Sequence, residues 1–233
     1  MSIHSLTLDE IGLKHGTDKS SKIHNYLHFY EENLKEFREK SFTLIEFGCL
    51  YGNSLNMWAE FFPKAKIVGV DINLKRVEKK FRNITLELAD STSFDRSYEL
   101  IKKYDPLVII EDASHIWTHQ ILTFETCFQL MRPGGIYVCE DLQTSYGKNR
   151  DKKYADHGID GAQYFAKIAL LALAKNKNHP WLKDAHPTMY RLAKSIELIT
   201  FRFHCVLIKK ISDNMVIEQE VNNTYIDPPH GFK

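Results

Sequence analysis

Five short apolar runs, each followed by a polar or helix-patterned stretch, constrain this chain more than any other feature. They are Phe42–Phe47, Lys66–Ile72, Ile84–Ala89, Pro106–Asp112 and Ile136–Asp141. Runs of this length, rich in β-branched and aromatic residues, read as buried strands. Between them lie stretches with helical spacing. Asn53–Phe62 places Leu55, Met57, Trp58 and Phe61 on one side and stops at Pro63, Phe94–Tyr104 supplies another, and Trp117–Met131 is amphipathic. Lys75–Arg82 is a fourth, highly charged helix candidate, and Arg132-Pro133-Gly134-Gly135 is a turn by composition. Strands alternating with helices require right-handed crossovers, hence a parallel sheet covered on both faces.

After Asp141 the pattern changes. Thr144–Asp160 is polar and basic in its middle (Lys148, Arg150, Lys152, Lys153) and reads as a loop, a candidate lid, although a solvated face is the simpler account of its charges. Gly161–Lys175 regains helical spacing. Ser195–Phe201 and Cys205–Lys209 are so close that they must pair as a hairpin, which makes the last pair of strands antiparallel. The expectation is an α/β, Rossmann-like sheet of seven strands, mostly parallel, with an antiparallel C-terminal hairpin. Its core spans 42–210, after an N-terminal helical or lid segment (1–41) and before a tail (211–233).

Composition narrows the partners. With 31 Lys+Arg against 30 Asp+Glu in 233 residues the chain is nearly neutral, unlike proteins that bind nucleic acid through phosphate charge. No apolar run reaches the ~20 residues of a membrane span, and the first residues lack the order of a signal peptide. Cys49, Cys127, Cys139 and Cys205 form no C-x-x-C pair, so neither a zinc site nor a disulfide framework is indicated. A cytoplasmic protein acting on a small molecule, with no nucleic acid or membrane partner, is expected, and a homo-oligomer stays open.

In open α/β sheets ligands bind beyond the carboxyl ends of the strands. The first strand runs into Glu46-Phe47-Gly48-Cys49-Leu50-Tyr51-Gly52-Asn53-Ser54, where two glycines permit a tight turn and Ser54 or Asn53 can cap the next helix. Leu50 stands where an E-x-G-x-G-x-G loop has its middle glycine, so a plain strand–helix turn explains the stretch equally well. Asp71 ends the second strand at the distance of a ribose-binding carboxylate, beside Ile72, and Asp90-Ser91 end the third, where an adenine edge would lie. Any one such Asp is commonly a helix cap; three adjacent strand ends with suitable polar residues point to a nucleoside-containing cofactor. Glu46 and Tyr51 in the loop suit a cationic, amine-bearing ligand better than a pyrophosphate, which matches S-adenosylmethionine. The antiparallel hairpin points the same way. The candidate cofactor residues are therefore Glu46, Gly48, Tyr51, Gly52, Ser54, Asp71, Ile72, Asp90 and Ser91.

The fourth strand ends Glu111-Asp112-Ala113-Ser114-His115 and the fifth Glu140-Asp141. On neighbouring strands, Asp112, Glu140 and Asp141 converge, and clustered carboxylates call for a cation. An all-oxygen set without cysteine favours Mg²⁺, with Mn²⁺ or Ca²⁺ as substitutes; separate helix caps or lysine salt bridges are the plainer reading. His115 is placed as a general base. Paired with His119 at i+4 it could instead hold a transition metal.

Three stretches carry a resemblance: Ile45–Trp58 (IEFGCLYGNSLNMW), Asp112–Gln120 (DASHIWTHQ) and Arg132–Tyr146 (RPGGIYVCEDLQTSY). They resemble the metal-dependent sugar O-methyltransferases, of which the mycinamicin-type enzymes of macrolide biosynthesis are the best known. His15–Lys19 (HGTDK), with His24, Tyr26 and Tyr30, is similar to that family's N-terminal motif. The resemblance runs through Lys210; it is specific in D-x-S-H and E-D-L-x-T-S-Y and generic in the glycine loop. It implies a class I methyltransferase fold, Asp112, Glu140 and Asp141 as Mg²⁺ ligands, His115 as base, and a free, nucleotide-linked, glycan or natural-product sugar as acceptor. Ala113 stands where glycine is expected, and the chain is shorter than members with a large N-terminal extension. The rival readings are a nucleotide-dependent sugar oxidoreductase on the same sheet, a non-catalytic cofactor-binding subunit, and the same chemistry on a catechol or β-lactam-type hydroxyl.

Overall fold

The computed structural model describes residues 6–146, 153–156, 158–174 and 186–212. Seven strands form one sheet in the order β3-β2-β1-β4-β5-β7-β6. They are β1 (Thr43–Phe47), β2 (Lys66–Asp71), β3 (Ile84–Leu88), β4 (Val108–Glu111), β5 (Ile136–Cys139), β6 (Ile196–Arg202) and β7 (Cys205–Lys210). The chain divides into two compact units, Met1–Asp90 and Ser91–Lys233.

In the first unit, α1 (Leu8–His15) starts from a capping box between Thr7 and Glu10 and ends at Gly16 in the left-handed region. α2 (Leu27–Leu34) follows, and α3 (Asn53–Phe61) connects β1 to β2. β1 pairs with β2 and β2 with β3, all parallel, with Ile45 opposite Val68 and Val68 opposite Thr85. Aromatic side chains fill the space beside the sheet: Tyr30, Trp58, Phe61 and Phe62 are fully buried, and Tyr30 meets the Trp58 ring edge-on at 5.1 Å.

The helix expected over Lys75–Arg82 does not form. A single 3-10 turn (Leu74–Arg76) is followed by irregular chain, because other groups claim the backbone there. Asn56 on α3 donates from Nδ2 to the Glu78 carbonyl at 2.7 Å and accepts the Lys80 N–H at 2.7 Å. Glu78 N–H in turn donates to the Tyr51 carbonyl at 2.9 Å. Val77 and Phe81 have helical i,i+4 spacing, yet tertiary hydrogen bonds outweigh so weak a local preference.

In the second unit, α4 (Phe94–Tyr104) is capped by Ser93, and α5 (Trp117–Leu130) connects β4 to the parallel β5. α6 (Gly161–Ala174) and α7 (Pro187–Lys194) precede the antiparallel β6–β7 hairpin, and β7 pairs antiparallel with β5. Phe124 is the centre of this core, with Phe128, Tyr137, Tyr164 and Phe165 around it at ring separations of 5.0–6.1 Å. The Lys210 ammonium closes the C-terminus of α5 by donating to the carbonyls of Phe128, Gln129 and Met131 at 3.0, 3.0 and 2.7 Å. All four cysteines are buried and unbridged. Among the described residues no helix is long and apolar enough to cross a membrane.

Candidate active site

The glycine turn lies at the carboxyl end of β1, in the first unit. Gly48 and Gly52 both have positive φ, at 89° and 82°, and Leu50 between them is also left-handed at 47°. The missing middle glycine of the loop is thus replaced by a leucine that adopts the glycine's conformation, with its side chain 61% exposed. At Gly52 a side chain is excluded, since a Cβ there would lie 2.7 Å from the Glu78 carbonyl oxygen. Asp71, at the end of β2, holds this turn in shape. Its Oδ2 accepts the N–H groups of Cys49 and Leu50 at 2.8 and 3.3 Å, and its Oδ1 accepts that of Asn73 at 2.9 Å. A carboxylate offers about four lone-pair sites, so Asp71 can serve the loop and still accept from a ligand.

Glu46 is completely buried at the base of the turn and accepts the Ser54 hydroxyl at 2.9 Å. Lys19, which the sequence did not single out beyond its motif, brings its ammonium to 3.4 Å from the other Glu46 oxygen. Tyr51 and Ile72 are exposed, at 50% and 72%, and Asp90 is exposed at the end of β3. Ser91 belongs to the second unit, where its carbonyl accepts from Ser97 and Thr123 at 3.2 and 3.4 Å.

The acidic site lies wholly in the second unit. One ligand atom from each of Asp112, His115 and Asp141 falls within 4.8 Å of the other two. Octahedral Mg²⁺, with bonds of about 2.1 Å, sets its donors about 3.0 Å (adjacent) to 4.2 Å (opposite) apart, so two carboxylates at this spacing need only a small contraction to share an ion. His115 Nε2 lies 3.4 Å from Asp141 Oδ2, whereas its Nδ1 is buried without a hydrogen-bond partner. Glu140 is buried at 1% exposure and lies outside that three-residue group. His119 turns away to Ser114, with Nδ1 and Oγ 2.8 Å apart. His119 is not part of the three-residue group found among the described residues.

The backbone around the acidic site is strained at two of its three side chains. His115 (φ 60°) and Asp141 (φ 57°) are both left-handed, a conformation that costs roughly 1–3 kcal/mol per residue and persists only where neighbours impose it. Thr144 is one such neighbour: its hydroxyl lies 3.2 Å from the His115 carbonyl and 3.1 Å from the Asp141 carbonyl, and shares its proton between them. Two residues of the loop after β5 complete the surroundings. Asp156 accepts the Thr118 N–H at 3.3 Å and bonds the Thr118 hydroxyl, capping α5, and the Tyr154 ring stands edge-on to His115 at 6.2 Å.

Glu111, one residue before Asp112, is fully buried, and burial pushes its carboxyl up to about 7. A positive charge on His115, the Cys139 thiol and the Ala113 N–H oppose that rise, and Asp112 adds to it. From sequence alone Glu111 reads as an ordinary strand residue, since nothing in the local pattern reports its complete burial beside the acidic group.

The chain overlays the methyltransferase MycE of the mycinamycin biosynthetic pathway, solved with Mg and SAH, at a TM-score of 0.74. The match covers 91% of this chain and 57% of that one at 21% identity. A second MycE structure, with Mg, SAH and mycinamycin VI, overlays at 0.71 with 22% identity, covering 91% and 57%. The fold is that of the class I methyltransferases. Among curated proteins, the chain is 35% identical over 145 residues to 8-demethyl-8-alpha-L-rhamnosyl tetracenomycin-C 2'-O-methyltransferase of Streptomyces olivaceus, covering 58% of this chain. It is 32% identical over 149 residues to mycinamicin VI 2''-O-methyltransferase of Micromonospora griseorubida, covering 60%. These relatives are named as O-methyltransferases. The chain spans only 38% and 37% of their respective lengths. No family model matches it.

Proposed function

We propose that the chain is an S-adenosylmethionine-dependent, Mg²⁺-dependent O-methyltransferase acting on a hydroxyl of a sugar. The grouping of Asp112, His115 and Asp141 in a class I fold carries this reading, and the relatives' named reactions support the sugar as acceptor. Asp112 and Asp141 would hold the ion, with Glu140 as third carboxylate. Imidazole is a poor ligand for so hard an ion, which leaves His115 free as the base. A bound Mg²⁺ supplies acidity and orientation to a chelated hydroxyl.

The chain's own groups do the rest. The sugar oxygen forms a bond to the methyl carbon as the carbon–sulfur bond breaks, and the hydroxyl proton goes to His115 Nε2, giving the methyl ether and S-adenosylhomocysteine. Asp141 faces that nitrogen and stabilises the imidazolium that results. Glu46 and the Gly48–Gly52 turn would receive the cofactor, with Tyr51, Ser54, Asp71, Ile72, Asp90 and Ser91 as the remaining candidate contacts. Four buried, unbridged cysteines suit the reducing cytoplasm.

Thermal-shift titration separates this reading from the oxidoreductase. S-adenosylhomocysteine raises the melting temperature in a saturable way and NAD does not; stabilisation by NAD alone would refute the assignment.

A further inference from the structure

The turn after α1 lies outside the sheet, yet it is built into the base of the glycine loop. Its residues His15–Lys19 are closed locally by Thr17 N–H to the Gly12 carbonyl at 3.2 Å, while Tyr26 N–H reaches the Lys19 carbonyl at 2.8 Å. It then reaches both flanks of the loop. Asn53, the first residue of α3, donates from Nδ2 to the Gly16 carbonyl at 3.1 Å. Lys19, with 1% of its side chain exposed, sets its ammonium 3.4 Å from a Glu46 oxygen that is itself sealed from solvent. The other Glu46 oxygen is held by Ser54 at 2.9 Å.

Burying an ammonium against a carboxylate desolvates two charges, and apolar residues of similar volume would usually pack there at no loss of stability. An ion pair here is therefore better explained by what it fixes than by stability. It fixes one carboxylate, at the one strand end where the cofactor loop begins. We propose that Lys19 is a positioning residue for the cofactor, acting through Glu46: it holds that carboxylate in a single orientation, so that the N-terminal turn is part of the cofactor site. The proposal rests on the S-adenosylmethionine reading.

The test measures two ligands on the full chain, S-adenosylhomocysteine by calorimetry and Mn²⁺ by electron paramagnetic resonance. Lys19→Met weakens S-adenosylhomocysteine binding at least tenfold and leaves the Mn²⁺ dissociation constant within twofold. Lys19→Arg, which keeps a cation there, recovers affinity to within about threefold of the natural chain. Lys19→Met with Glu46→Gln binds no more weakly than Glu46→Gln alone, because the lysine acts only through that carboxylate. Unchanged affinity in Lys19→Met, an equal loss for both ligands, no recovery with Lys19→Arg, or additive effects in the double variant would each overturn the proposal. A natural chain that fails to bind S-adenosylhomocysteine would instead overturn the cofactor reading on which it stands.

Discussion

Gly52 and Gly16 form a matched pair for testing how the glycine loop after β1 is built. Both are left-handed, at φ 82° and 70°, so alanine at either incurs the same backbone penalty of about 1–2 kcal/mol. Part of that is recovered from the stiffer unfolded chain, about 0.4–1 kcal/mol. At Gly16 little else happens, since the new Cβ meets only Asn53 Nδ2 at 3.9 Å. At Gly52 the Cβ would stand 2.7 Å from the Glu78 carbonyl and 3.0 Å from Val77 Cγ1. The 77–80 segment must then move, against the three hydrogen bonds tying Glu78 and Lys80 to Tyr51 and Asn56. At about 0.5–1.5 kcal/mol per bond, losing two or three of them adds roughly 2–3 kcal/mol. Urea unfolding should therefore show Gly16→Ala costing about 1 kcal/mol and Gly52→Ala about 3–4 kcal/mol. Equal losses would mean that the 77–80 segment does not press on the loop, and would refute this account of its shape.

Two further predictions concern the acidic site. Glu111 is pushed by burial from 4.5 up to about 7, so it favours the folded state fully below pH 4.5, and that contribution fades as pH rises through 7. In metal-free protein the natural chain should lose about 3 kcal/mol more than Glu111→Gln across that window; parallel pH profiles of urea stability would contradict it. Thr144→Val removes the shared hydrogen bond to the His115 and Asp141 carbonyls and should weaken Mn²⁺ binding by about 10–100-fold, as loss of an outer-shell partner does. Undiminished affinity would show that other contacts hold those left-handed residues.

Strands are readable because each is a short apolar run, most of them closed by a charged or polar residue, and their ends fall within one or two positions of expectation. Asp112 and Asp141 were legible for the same reason, as acids at the carboxyl ends of adjacent strands. The helical spacing of Lys75–Arg82 misleads because it is local, while the segment's hydrogen bonds come from Asn56 and Tyr51. α7 carries a signal outside the strand–helix alternation, Pro187 at its first helical position with Met189 and Leu192 buried. Lys19 illustrates what a linear reading hides, since a lysine in a polar turn looks like a surface cation until its carboxylate partner is located in space. The side-by-side placement of His115 and Asp141, with Glu140 set apart, likewise depends on two left-handed backbone residues that no periodicity reports.

The most direct measurement is transfer of a labelled methyl group from S-adenosylmethionine to free, nucleotide-linked and glycoside-linked sugars, run with Mg²⁺ and with EDTA. Label is expected in a sugar methyl ether, abolished by EDTA and restored by Mg²⁺. Transfer that EDTA leaves unchanged, or no labelled sugar from a chain that binds S-adenosylmethionine and Mg²⁺, would contradict the proposed reaction.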